Sequence, residues 1–202
     1  MEEGGPPAWC VVRIGQMHRV AKMGLVRDLA RQIPSEVNDA MPIKSTREKF
    51  VHELADLYDA EHQFLAAQHL MHAKATDVRL KTMIKEHIVE SEQQVKNLVR
   101  VFGTLGEQPK RQHCSGAEGI VSEGKKAIAE AGTPEIRDTF IAGGATKAEH
   151  YEMVSYADLI GAATVLKLRR AIPLLEKNRD QEVRTARRLE RASPRLLRQV
   201  AA

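Results

Sequence analysis

Cysteine is almost absent from this 202-residue chain. Cys10 and Cys114 stand far apart with no C-x-x-C pair, which excludes a disulfide framework, a cysteine zinc site and a dithiol redox motif. A reducing, cytoplasmic setting is expected. No apolar run approaches the ~20 residues of a membrane span, and the acidic start Met1-Glu2-Glu3 lacks the basic region of an export signal, so neither membrane insertion nor secretion is expected. Aromatic residues are only 4% of the chain and glycine and proline are sparse. Little material remains for a sheet, and the abundant Ala, Leu, Lys, Arg and Glu favour helix. The formal charge of +4 is modest. By itself it gives no licence for nucleic-acid binding, and the basic end from Arg184 to Arg198 reads as a solvated helix face.

What is present is a succession of helix signals. Residues 1–44 read as an N-terminal extension, with Gly4-Gly5-Pro6-Pro7 unable to start a helix and weak periodicity ending at Pro34; Met41 offers an alternative start. Ser45-Thr46-Arg47-Glu48 is a capping box that opens a helix to about Lys74. Thr76-Asp77 caps a second, ending near Gly103 or Gly106. A shorter crossover helix is expected from about Ser115, read as the cap of a second capping box with Glu118, to Ala131. Thr133-Pro134 starts a helix to about Ile160, and a last one spans roughly Leu168 to Arg191 with Pro173 in its first turns or kinking it. Residues 193–202 read as a frayed basic tail. The expected domain is thus an all-α bundle over residues 45–192.

Four of these helices place acids on faces that otherwise read as core. Glu149 and Glu152 share a face with Ala145 and Tyr156; Glu61 falls in the stripe Leu54, Leu57, Leu65; His87 and Glu90 fall with Ile84, Gln94 and Leu98; Glu182 lies between Leu175 and Leu189. The chain also echoes itself, since Ala60-Glu61-His62 recurs as Ala148-Glu149-His150. From there the next acid on a core stripe follows at 90 − 61 = 29 and 182 − 149 = 33 residues. Any one such Glu is more often a solvated or salt-bridged helix acid. Four helices in agreement point instead to carboxylates that converge on metal ions, as in four-helix bundles that hold two. The candidate ligands are Glu61, His87, Glu90, Glu149, Glu152 and Glu182, a set rich in carboxylate and without thiolate that suits two ions of iron, or of manganese. Tyr156, one turn beyond Glu152, is placed to hydrogen-bond a ligand.

Four segments carry a resemblance to a known family: Glu53-Leu54-Ala55-Asp56-Leu57-Tyr58-Asp59-Ala60-Glu61, His87-x-x-Glu90, Ala148-Glu149-His150-Tyr151-Glu152-x-x-x-Tyr156, and Leu174-Leu175 with Glu182. Over residues 45–192 the sequence resembles the YciF-like proteins, a bacterial stress-associated branch of the ferritin and rubrerythrin superfamily. The resemblance implies a four-helix bundle with an added crossover helix, a homodimer, and a dinuclear iron site at the Glu/His set above. It implies no defined reaction. Where the common di-iron pattern has Glu-x-x-His on two helices, this chain has His87-x-x-Glu90 and Glu149-x-x-Glu152, and Glu182 is followed by Thr185. Two functions compete on this reading. One is a dinuclear metal protein reacting with dioxygen or peroxide in a stress response, of ferroxidase or peroxide-reducing type; the other is a non-enzymatic helical interaction protein with a degenerate site.

Overall fold

The computed structural model describes residues 42–201, so the expected extension lies outside the described residues apart from 42–44. Five helices follow: α1 (Thr46–Lys74), α2 (Val78–Thr104), α3 (Ser115–Glu130), α4 (Pro134–Val165) and α5 (Ile172–Val200). The all-α ferritin-like bundle with a crossover helix is what forms. α1 packs on α2 and α4, and α5 packs on α2 and α4, while α3 lies against α1 and α4.

Local chemistry explains the starts. Ser45 Oγ accepts from Glu48 N at 3.1 Å and the Glu48 carboxylate accepts from Ser45 N at 3.1 Å, the reciprocal capping expected. Asp77 caps α2 through Leu80 N and Thr133 caps α4 through Ile136 N. The cap of α3 differs from expectation: Cys114, not Ser115, holds that position, its Sγ accepting from Ala117 N. Asp59 fixes the turn beforehand by accepting from Cys114 N at 2.9 Å, and that tertiary tie moves the helix start by one residue.

Ion pairs at the two ends give the helix directions. Arg195 grips Asp77 with two hydrogen bonds of 2.6 and 2.8 Å, and Asp138 accepts from Thr76 N and Asp77 N, so the starts of α2 and α4 share one end with the close of α5. At the opposite end Arg47 meets Glu107 and Lys49 meets Asp158. α2 and α4 are therefore parallel, which requires the crossover. The same Arg195 clamp corrects the expected frayed tail: α5 starts later than Leu168, at Ile172 with Pro173 in its first turn, then runs through Pro194 to Val200, with Leu196 buried. Arg184 and Arg188 face Glu90 and Glu86 of α2. Two apolar clusters fill the bundle ends, one around Phe50, Leu54, Leu98, Leu159 and Leu175, the other around Met71, Leu80, Ile84, Ile141 and Leu189. Between them lies a belt of buried polar side chains.

Candidate metal centre

That belt gathers the acids singled out above. Each of four bundle helices turns at least one of its polar side chains inward: Glu61 from α1, His87 and Gln94 from α2, Glu149 and Glu152 from α4, and Glu182 from α5, all with at most 4% of their surface exposed. One ligand atom each from His87, Glu149, Glu152 and Glu182 can be chosen so that all lie within 4.8 Å of one another, close enough to share an ion or an adjacent pair of ions. Glu61 borders this group, since its carboxyl is raised in part by Glu149, and Glu152 is raised in part by Glu61.

Glu90 stands apart. It is 31% exposed, and its carboxylate lies 3.5 Å from His87 Nδ1 and 3.6 Å from Arg184. It therefore backs the imidazole instead of joining the cluster. Thr185 Oγ1 also lies 3.3 Å from His87 Nδ1. With Nδ1 so occupied, Nε2 turns toward the acids, 3.1 Å from Glu149 and 3.5 Å from Glu182. These contacts are out of line for hydrogen bonds, and Nε2 has no hydrogen-bond partner.

The oxygens are similarly short of donors. Oε2 of Glu61, Glu149, Glu152 and Glu182 are all buried without a hydrogen-bond partner. Oε1 of Glu182 accepts from Gln94, and Oε1 of Glu61 accepts from the Tyr156 hydroxyl. Tyr156 thus bonds one of the candidate acids, Glu61, on another helix. A chain of amides holds it there: Gln93 donates to Asn97 at 3.1 Å, Asn97 to Asn178 at 2.7 Å, and Asn178 to the Tyr156 oxygen at 2.8 Å. The amides of this belt carry little signal in the sequence. Asn97 and Asn178 lie on the core stripes of α2 and α5, one turn from Gln94 and Glu182, and that position was their only signal.

Burial dominates the electrostatics. It raises the Glu61 carboxyl to about 7 against the opposing pull of the Tyr156 hydrogen bond, and Glu149 adds to the rise. Burial and the neighbouring acids push Glu152 and Glu182 well above the usual carboxylate range. Burial also works against a charged His87, but the attraction of Glu149 and then of Glu90 wins and raises it to about 10. Protein groups alone leave the belt with acids crowded together and only one buried cation between them. Buried carboxylates in this state are protonated or held by a cation. The donor set fits the cation: four inward carboxylates carry −4, which two divalent ions would balance, and oxygen-rich ligation with one imidazole suits iron or manganese.

Comparison with known proteins agrees with this fold. Residues 45–202 match the family described as a domain of unknown function, DUF892. The chain is 30% identical over 146 residues to protein YciF of Escherichia coli strain K12, covering 72% of this chain and 88% of that one. Among solved structures, the E. coli stress protein YciF superposes with a TM-score of 0.73 at 27% identity over 77% of this chain and 99% of its own. YcfI of Rhodopseudomonas palustris gives 0.73 at 27% identity over 76% and 98%. A Xanthomonas campestris protein, XCC3681, shares the fold at a TM-score of 0.64 and 20% identity, over 78% and 100%. With the family match spanning the whole bundle and the acids placed on its four long helices, the chain belongs to the DUF892 family of YciF-like, ferritin-like proteins.

Proposed function

We propose that this protein binds two ions of iron, or of manganese, in the belt at mid-bundle and reacts them with dioxygen or peroxide as part of a stress response. The observation that carries the reading is the group His87, Glu149, Glu152 and Glu182, whose ligand atoms gather within 4.8 Å and each of which has a buried polar atom without a hydrogen-bond partner, with the unpartnered Glu61 Oε2 beside them. Glu61, His87, Glu149, Glu152 and Glu182 would hold the ions, and when bound the ions supply the electrons that reduce the oxidant. Glu90 and Thr185 fix the imidazole through Nδ1, as a carboxylate does behind many metal-bound histidines. Tyr156 and Gln94 orient one oxygen each of Glu61 and Glu182 and leave the other free. Among the described residues no helix is long and apolar enough to cross a membrane. A homodimer in the cytoplasm completes the proposal.

Anaerobic titration with iron(II) or manganese(II), with elemental analysis after desalting, tests it. Two ions per chain are expected, with protons released on uptake because His87 and the raised carboxyls are protonated beforehand. Metal content of zero at neutral pH would refute the reading.

A further inference from the structure

A second chemical environment lies against the belt, on the side covered by α3. It is a cavity of about 20 Å³, room for a molecule of roughly one or two heavy atoms where a single water needs ~10–15 Å³. Phe64, Ala67 and Met71 of α1, Ile84 of α2, Val121 of α3 and Ala145 of α4 give it apolar walls. Its polar lining is confined to Gln68, His87, Glu149 and Thr185. His87 and Glu149 belong to the metal belt, Thr185 meets His87 Nδ1, and the Gln68 amide donates to Ser91. One wall of the cavity is thus the edge of the metal belt, and most of the rest is hydrocarbon and thioether.

Gly144 places this cavity next to the surface. It lines both the cavity and an open groove of about 160 Å³ between α3 and α4, which Gly124, Thr139, Phe140 and Lys147 also border. A Cβ at Gly144 would lie 3.9 Å from Met71 Cε and 4.0 Å from Gly124 Cα. At this helix crossing a hydrogen stands where any other residue would set a side chain between groove and cavity.

We propose that the cavity is a binding site for a small apolar molecule, dioxygen, which enters where α3 and α4 cross at Gly144 and reaches the His87–Glu149 edge of the belt. The delivery role rests on the proposed metal centre; occupation of the cavity by an apolar molecule does not. Apolar walls choose between the two oxidants. Hydrogen peroxide, like water, gives up hydrogen bonds on every side to enter and can regain them only at the polar edge, where Gln68 Oε1, His87 Nε2 and Glu149 Oε2 have no partner, whereas dioxygen has none to lose.

Xenon, an apolar probe of suitable size, tests occupation in full-length metal-free protein. Under pressure one xenon site against Ala67 and Ala145 is expected in crystallographic difference density. Ala145→Leu should abolish it, and Ala67→Leu provides a second filled cavity should the first variant fold poorly by circular dichroism. No xenon in the wild type would overturn the binding site. With iron(II) loaded anaerobically, the filled variant should react with dioxygen at least tenfold more slowly while its reaction with peroxide changes less than twofold. Equal slowing by both oxidants, or none, would overturn the selective path. If the protein takes up no metal, delivery falls together with the metal centre, and the xenon result still decides the cavity.

Discussion

Replacing Glu61 with Gln isolates the energetic state of the belt. In the metal-free protein burial holds the Glu61 carboxyl at about 7 against its ordinary 4.5, so between those values the folded chain keeps a proton that the unfolded chain gives up. Stability therefore falls as pH rises through this window, by up to ~1.4 kcal/mol per pH unit for one group. Gln cannot ionise in either state, and its oxygen can still accept from Tyr156 while its amide donates toward the neighbouring acids. The variant should match the wild type near pH 4.5 and exceed it by about 3 kcal/mol at pH 7. For a chain of this length that is a rise of roughly 6–12 °C in Tm. Thermal melts of both proteins in chelator at pH 4.5, 5.5 and 7 read the difference directly. Saturating metal should reverse the order, because ions that bind only the folded state stabilise by about 4.1 kcal/mol at a thousandfold excess over Kd, and the variant lacks one ligand. A gap between the two proteins that stays constant with pH would refute the account of Glu61 as a buried, protonated acid.

Glu149→Gln should act with the opposite sign, lowering metal-free stability by about 2 kcal/mol in chelator melts at pH 7, because Glu149 is the acid beside the charged His87. Gly116→Ala should cost about 1–3 kcal/mol in denaturant unfolding, since its Cβ would stand 2.8 Å from the Tyr151 ring that anchors α3; Tyr151→Ala in the same background should recover part of that loss as a non-additive term. Arg195→Ala should loosen the end of α5, seen as faster amide exchange over residues 192–200. The Arg195 guanidinium holds the Asp77 carboxyl far below its usual range, so the contribution of this pair is present above Asp77's ordinary pKa near 3.8 and disappears as pH falls further. The stability difference between Arg195→Ala and wild type should shrink in acid and stay flat from pH 5 to 8.

Much of the architecture was legible because its causes are local. The Ser45–Glu48 box, Asp77 and Thr133–Pro134 act over three or four residues, and each starts a helix where the pattern put it. Glu61, Glu149, Glu152 and Glu182 could be read as inward from helical period alone, since each shares a stripe with buried apolar residues of its own helix. Period alone misjudged Glu90. It stands i+3 from His87, but the inner face of α2 runs through His87, Ser91, Gln94 and Leu98, which leaves Glu90 at the edge with Arg184. The echo between the two halves is correspondingly weaker than the spacing suggested.

Relations between helices needed the fold. Nothing within α2 says that His87 meets Glu149, 62 residues away and on a helix reached only through the crossover. Cys114 in place of Ser115 as a cap, and a tail that stays helical, likewise follow from Asp59 and Asp77, whose carboxylates reach across to other elements. The cavity beside the belt is a property of five helices at once. Sequence determines which face of each helix is buried, because that depends on side chains one turn apart; only the tertiary structure decides which buried groups meet and which are left without partners, because that depends on how the helices cross.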